Sequence, residues 1–406
     1  MANLQSDRLP DGARSSLLEG ADKSTVFVAL GLLALGAGLL STQVSTQKAV
    51  LFVIGAGLGF ALLHGAFGFT SGWRTIVTRG DGRGLKAQLA VIAATMICFV
   101  PIIAGYLPGE AKYGGLIAPV SLTVVIGAFM FGIGMQLGNG CGSGTLFTLG
   151  GGSKRMLFTL PGFIAGSLLA SLQWSWWKLP GIGAVNLATE FGVPGALLLG
   201  LAGLAGVWWL IGLFERAYRR EQGPLVSVSQ TAGPRAGWMW RGPWSLVWAG
   251  AALVVLNVAT ILVGGLPWAV TYGFALWGAT AASLAGVDIG AYEFWGWAKS
   301  PDILLSALVT NQQSVMNVGL MLGAMLAAGL AGTFGKGPWP NAVSIAGAIL
   351  GGLLMGYGAR LSFGCNIGAF LGGIASGSLH GWVWFAAAFA GSLLGIKLRP
   401  VFGLAN

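Results

Sequence analysis

The chain has 406 residues, of which 55% are hydrophobic and only 8% charged, too few polar groups to coat a soluble globule of that size. That balance excludes a soluble enzyme and marks a polytopic membrane protein. The net charge of +10 does not signal nucleic acid as a partner, because the basic residues sit in short loops between apolar runs rather than along one face; membrane lipid is the expected surround.

Residues 1–24 are polar and lack the apolar core and cleavage pattern of a signal peptide, so a short disordered cytoplasmic tail is expected there. Apolar runs able to cross about 30 Å of hydrocarbon begin near Val26, Ala49, Ala87, Ala118, Met156, Pro194, Ser245, Val315, Ala342 and Gly381, which predicts about ten crossings. Residues 215–243 carry Arg216, Arg219, Arg220, Arg235 and Arg241 among several Gly and Pro and read as a linker. The expected organisation is therefore a tail (1–24), a first transmembrane half (25–214), a cytoplasmic linker (215–243), a second half (244–400) and a tail (401–406).

Basic residues set the orientation. Arg8, Arg14 and Lys23, the loop from Arg74 to Lys86, Lys154 with Arg155, and the linker fall on one side, which the positive-inside rule makes cytoplasmic, with both chain ends there. Lys336, Lys397 and Arg399 belong on the same side, whereas Asp288, Glu293 and Asp302 face only Lys299 and belong outside. An odd number of crossings must then separate Arg241 from Gly286, so Trp268 to Ala285 reads as a re-entrant or flat helix on the outer face. The two halves run in opposite senses.

Two segments look like copies of one device: GMQLGNGCGSG (Gly134 to Gly144) and GARLSFGCNIG (Gly358 to Gly368). Each has Gly seven residues before a Cys, Leu four before, Gly one before (Gly140, Gly364) and Gly three after, and AGSLL follows 24 or 25 residues later. The agreement implies an internal duplication. Broken helices in inverted halves put backbone amides at mid-membrane, which is tolerated only against protein or a water-filled path. After Cys141 and after Cys365 the chain can form short half-helices, so each cysteine stands at a helix N-terminus, where N–H groups favour an anion. Dipole and low dielectric act oppositely on such a thiol; as a neutral group it is a weak, polarizable donor suited to a soft sulphur atom. Asn139 and Asn366 flank the cysteines and can supply amide donors, with the N–H groups of Gly142 and Asn366 stabilising charge.

Plainer roles weigh against each of these residues. Glycine breaks often serve close packing, and repetition at the same place in both halves is what shifts the balance to function. Cys98 lacks such a break and reads as packing. Arg360, five residues before Cys365, is either functional or snorkels from its helix end. His64 reads as a hydrogen-bonded structural group before a gate. Trp174, Trp176, Trp177, Trp295, Trp297, Trp382 and Trp384 fit interfacial belts. No CxxC, disulfide framework, metal set or cofactor motif is present, so no metal or cofactor is expected.

The segments Gly358 to Phe385, Phe131 to Gly144 and GFTSGWR (Gly68 to Arg74) resemble the YeeE/YedE sulphur-transport family. The resemblance implies an all-α inner-membrane protein with inverted halves and an hourglass waist lined by cysteine loops, conducting thiosulfate or a related species inward. Cys141 and Cys365 match the family's loop cysteines. Many members carry a third Cys just before the FTS triplet, where this chain has Gly68. A TusA-like sulphur-carrier protein is a further implied partner, and no such domain is expected within this chain. The expected function is uptake of a small sulphur anion by relay between Cys141 and Cys365, without enzymatic chemistry. Three alternatives stand beside it: a selenium-species transporter of the same family, a membrane thiol/disulfide enzyme using the same two cysteines, and an anion channel working through half-helix dipoles and Arg360 alone.

Overall fold

The computed structural model describes residues 20–222 and 237–406. α1 (Lys23–Gln43), α2 (Thr46–His64), α3 (Phe69–Arg79) and α4 (Arg83–Ile103) lead to strand β1 (Pro119–Ser121). α5 (Leu122–Gly138), α6 (Gly142–Gly150) and α7 (Met156–Leu172) follow, then β2 (Gly181–Ala184), antiparallel to β1, and α8 (Leu187–Gln222). After the single turn α9 (Trp238–Arg241) come α10 (Leu246–Gly264), α11 (Thr271–Leu284), α12 (Pro301–Thr310), α13 (Gln312–Leu330), α14 (Ala342–Leu361), a π-helical stretch Asn366–Gly373, and α15 (Leu379–Leu398).

Polar residues between the apolar runs start the helices. Ser45, Ser121, Ser245, Asn311 and Asn341 each accept a first-turn N–H through the side chain, satisfying a donor that the helix cannot. Asp22 does the same for α1, and its bonds from Ser24 and Thr25 hold its carboxyl down at about 2.

The protein is an all-α polytopic membrane protein. Among the described residues nine helical stretches are long and apolar enough to cross a membrane. Every one of the ten expected runs is a helix; the remaining one, α7, has 17 residues and an internal proline, Pro161, which puts it at the short limit of spanning length. Of the stretch expected as a linker, residues 215–222 complete α8, residues 223–236 lie outside the described ones, and Trp238–Arg241 form α9. Most of the N-terminal tail, residues 1–19, also lies outside them.

Outer helices expose apolar side chains, such as Phe27 and Leu35 of α1 and Leu198 and Trp209 of α8, as a lipid-facing surface must. Inner helices replace them with glycine. In a membrane, close backbone approach rather than hydrophobic expulsion holds helices together, and here it recurs with the halves exchanged. A Cβ on Gly127 of α5 would stand 2.7 Å from Gly358 O of α14, and one on Gly134 of α5 2.7 Å from Gly351 O. Adding 224 to Gly127 and Gly134 gives Gly351 and Gly358, so each crossing is the other with its partners swapped. Likewise Gly132 abuts Ala388 of α15 and Gly356 abuts Phe163 of α7; Gly166 abuts Leu353 and Gly391 abuts Phe129. α2 and α13 interlock in the same way through Gly55, Gly59, Gly319 and Gly323.

Polar ties collect the basic loops at one end. Asp22 N–H donates to Gly329 O, Gly335 N–H to Gly151 O, Arg155 to Ser344, and Lys86 pairs with Glu215 at 2.5 Å. At the other end lie the β1–β2 ladder, the Gly114 to Gly265 bond and the Lys178–Glu293 pair at 2.8 Å. Two tryptophans depart from the interfacial belt: Trp295 and Trp384 are fully buried, their indole N–H groups donating to Ser171 and Ser362 at 2.8 and 2.9 Å. A serine within reach removes the need of the indole for the wet interface.

Candidate functional site

Both cysteine breaks are built by the same backbone path. α5 stops where Asn139 turns left-handed at φ 63, letting Gly140 N–H donate to Met135 O at 3.2 Å; α14 stops with Phe363 at φ 58 and Gly364 N–H on Ala359 O at 2.9 Å. A left-handed residue followed by such a bond is a helix terminator that satisfies an orphan carbonyl. The following cysteine then begins a new helix. Cys141 O accepts from Thr145 N–H and Cys365 O from Ala369 N–H, each at 2.8 Å. Glycine is needed before each cysteine because the new helix folds back onto it: a Cβ on Gly140 would lie 3.2 Å from Thr145 N and one on Gly364 2.7 Å from Ala369 N. Phe363, a bulky residue in a region that usually favours glycine, carries backbone strain, and its ring packs edge-on against Trp174 at 5.6 Å.

The two breaks meet. Cys141 and Cys365 are both buried and free, and a Cβ placed on Gly142 would stand 3.1 Å from Cys365 Sγ. Gly142 thus separates the first cysteine from the sulphur of the second. Cys141 Sγ accepts from Gly144 N–H at 3.4 Å and lies 3.6 Å from Ser143 Oγ. Cys365 starts a π-helical rather than an α-helical turn, without a side-chain cap. Two further loops close on the same place. The turn before α3 brings Gly68 beside Cys141, while the turn before α11 brings Thr271 and Ala269 against the positions where side chains on Gly142 and Gly368 would begin, each at 3.6 Å. Reasoning from sequence did not place this α11 turn at the cysteines; its signal is the resemblance in form between two short helices, α3 and α11, each preceded by a loop.

On the basic end, Cys141 borders a cavity of about 190 Å³ lined also by Gly68, Thr70, Arg74, Asn139 and Gly140. Asn139 Oδ1 accepts from Arg74 at 3.4 Å and from Arg399 at 3.2 Å, so the amide oxygen is engaged by cations. Arg399 and Arg155 reach the last carbonyls of α5, Gln136 O and Leu137 O, at 2.7 and 2.6 Å, where positive charge suits the helix C-terminus. On the opposite end a second cavity, about 280 Å³, is lined by Thr123, Trp174, Trp177, Lys178 and Phe363.

Arg360 does not snorkel. It is buried, with its guanidinium over the rings of Phe294 at 5.0 Å and Tyr272 at 5.6 Å, and its Nε and Nη1 have no hydrogen-bond partner among the described residues. Asn366 is fully buried with both amide atoms likewise unpartnered. Cys98 packs half-buried in a separate apolar cluster with Val258 and Val193. His64 is buried against Phe60 and Trp244 and is hydrogen-bonded to the backbone of Trp240, as expected of a structural group, while its Nε2 has no partner among the described residues.

Such a chain, mostly helical and with two buried thiols at the starts of helices from different segments, belongs to the class of multi-pass membrane proteins. Residues 64–394 match the sulphur-transport family, and the chain belongs to that family. It is 27% identical over 344 residues to the thiosulfate transporter TsuA of Spirochaeta thermophila, covering 82% of this chain and 92% of that one. TsuA of Escherichia coli is 26% identical over 343 residues, 82% of this chain and 88% of the relative. The probable transporter YedE of Escherichia coli is 36% identical over 162 residues, 39% of each chain.

Proposed function

We propose that the protein carries thiosulfate across the inner membrane into the cytoplasm, passing it between Cys365 and Cys141 without enzymatic change. The observation that carries this proposal is the placement of Gly142, whose hydrogen is all that separates the chain at Cys141 from the Cys365 sulphur. Two neutral thiols, one on each side of Gly142, can donate in turn to the terminal sulphur of the anion. Gly142 leaves room at the Cys365 sulphur, Gly140 and Gly364 let each new helix fold back onto its cysteine, Gly68 lines the adjoining cavity, and the amide groups at Gly142 and Asn366, with Asn139, bear on the charge of the ion. Weak donors in series admit an ion and still release it, as conduction requires.

Arg360, buried and short of partners, would draw the anion from the aromatic mouth, where a desolvated cation acts more strongly than at a surface. The exchange of glycine crossings between α5 and α14 supports inverted halves, 25–214 and 244–400, with re-entrant segments at the cysteines. The gathering of Arg74, Arg155, Lys336 and Arg399 at one end supports a cytoplasmic location for that end and for both termini. A TusA-like sulphur carrier docking there would meet the thiosulfate as it is released.

In proteoliposomes containing the purified chain, labelled thiosulfate should accumulate intact, and Cys141→Ser or Cys365→Ser should each cut the rate at least tenfold, since a hydroxyl is a poor partner for soft sulphur. Uptake unchanged in both variants would end the relay. Sulphite or mixed disulfide in the lumen would point to a thiol enzyme instead, and preferential uptake of a selenium anion to the other branch.

A further inference from the structure

The cavity below Cys141 holds more polar groups than a passage for a thiol-bound sulphur needs. Thr70, on the first turn of α3, is only 4% exposed and lines this cavity, and its Oγ1 has no hydrogen-bond partner among the described residues. A buried hydroxyl left unpaired costs stability unless a ligand or water meets it. Arg74, one turn on, lines the same space; its one described contact there is the 3.4 Å approach to Asn139 Oδ1, and no carboxylate pairs with it among the described residues. Gly68, which precedes α3, provides no side-chain cap, so first-turn N–H groups of α3 remain for a ligand or water. At roughly 30 Å³ per water, about 190 Å³ holds a tetrahedral oxyanion with part of its hydration.

We infer that this cavity is an oxyanion subsite in which Thr70, Arg74 and the start of α3 grip the sulphonate end of the anion while Cys141 holds its terminal sulphur. The inference rests on the transport function proposed above and adds a second point of recognition to it. Thiols distinguish soft sulphur from hard oxygen; a hydroxyl, a guanidinium and backbone N–H groups distinguish an oxyanion from a bare sulphide. Together they select an ion that carries both ends. Arg399, holding Asn139 from the other side at 3.2 Å, keeps the amide oxygen turned toward the cations and away from the ion.

Thiosulfate uptake and its inhibition by sulfate, which offers oxygens but no soft sulphur, test the subsite in proteoliposomes. Thr70→Val, of equal shape, should raise KM about fivefold, and Arg74→Gln about tenfold or more, with kcat within about threefold, as expected for losing a neutral and a charge-assisted bond. Sulfate should lose potency in both variants to the same degree and keep it in Cys141→Ser. KM and sulfate inhibition within twofold of wild type in both variants, or losses confined to kcat, would overturn the inference. Thermal melting of the detergent-purified chain with sulfate alone separates the two proposals. If wild type moves no thiosulfate but sulfate still raises its melting temperature, and does so less in Thr70→Val and Arg74→Gln, the subsite stands and the thiosulfate cargo falls. If sulfate shifts wild type and both variants alike, or none of them, the subsite falls.

Discussion

At Asn139 to Cys141 the chain borders a cavity with an unpaired hydroxyl and cations; at Phe363, on the same backbone path, it borders a second cavity walled by aromatic rings. The left-handed residue, the glycine and the helix-starting cysteine are common to both, so one backbone path shapes both breaks. Side chains then make the two approaches unlike. One thiol has a bond from Gly144 N–H and a neighbour in Ser143, whereas the other is followed by Asn366 with two unpartnered polar atoms. In the transport proposed above, one device used twice but furnished differently would bind the ion with different strength at its two cysteines, and passage would be stepwise.

The sharpest way to break the comparison is at the glycine crossings. Gly134→Leu and Gly358→Leu each push a side chain into the backbone of the facing helix, an overpacking of about 3 kcal/mol or more, and should abolish monodisperse protein in size-exclusion chromatography to the same extent. A tolerated change at one site with failure at the other would show that the crossings are not equivalent. Gly142→Ala comes next. Its methyl would stand 3.1 Å from Cys365 Sγ, tight enough to displace the sulphur, and uptake should fall about tenfold while the melting temperature stays within a few degrees. Gly144→Ala, 3.3 Å from Cys141 Sγ, should cost about threefold by the same crowding. Uptake unchanged in both variants would mean that neither space is part of the path.

A smaller effect sharpens the contrast between the two asparagines. Asn366→Leu removes two buried polar atoms without partners, so stability should rise by about 1 kcal/mol, yet uptake should fall about fivefold if those atoms serve the ion. Asn139→Leu should lose stability instead, because a leucine is strained at φ 63 and frees Arg399 from the amide. A stabilised Asn366→Leu with full uptake would remove Asn366 from the path.

Much of the site was legible because it is local. The spacing of Gly, Leu and Cys in the two motifs carries the helix stop, the left-handed turn and the new helix start, all decided within ten residues. The apolar runs likewise became helices, since length and composition suffice for that. What escaped depended on contacts distant in sequence. Nothing near Trp295 or Trp384 shows that Ser171 and Ser362 await their N–H groups, and nothing near Arg360 shows that Tyr272 and Phe294 will cover it. Thr70 and Arg74 form part of GFTSGWR, and Arg74 reads from sequence as a topology anchor that also draws anions toward the cytoplasmic mouth; that both residues line a cavity with Cys141 is not legible there.

The least disturbing substitution asks whether thiol chemistry as such, or its place, matters. Cys98 has the same side chain as the other two but sits half-buried within α4, against Val258 and Val193, far from either break in the sequence and in another apolar cluster. Cys98→Ala removes one small apolar group there, about 1 kcal/mol or less, and should leave thiosulfate uptake within twofold of wild type. A maleimide added to wild type should block uptake only where it reaches Cys141 or Cys365, and the Cys98→Ala protein should be as sensitive as wild type. Loss of transport on removing Cys98 would move a thiol onto the path from outside the two breaks, and the pairing across Gly142 would then be too short to describe the route.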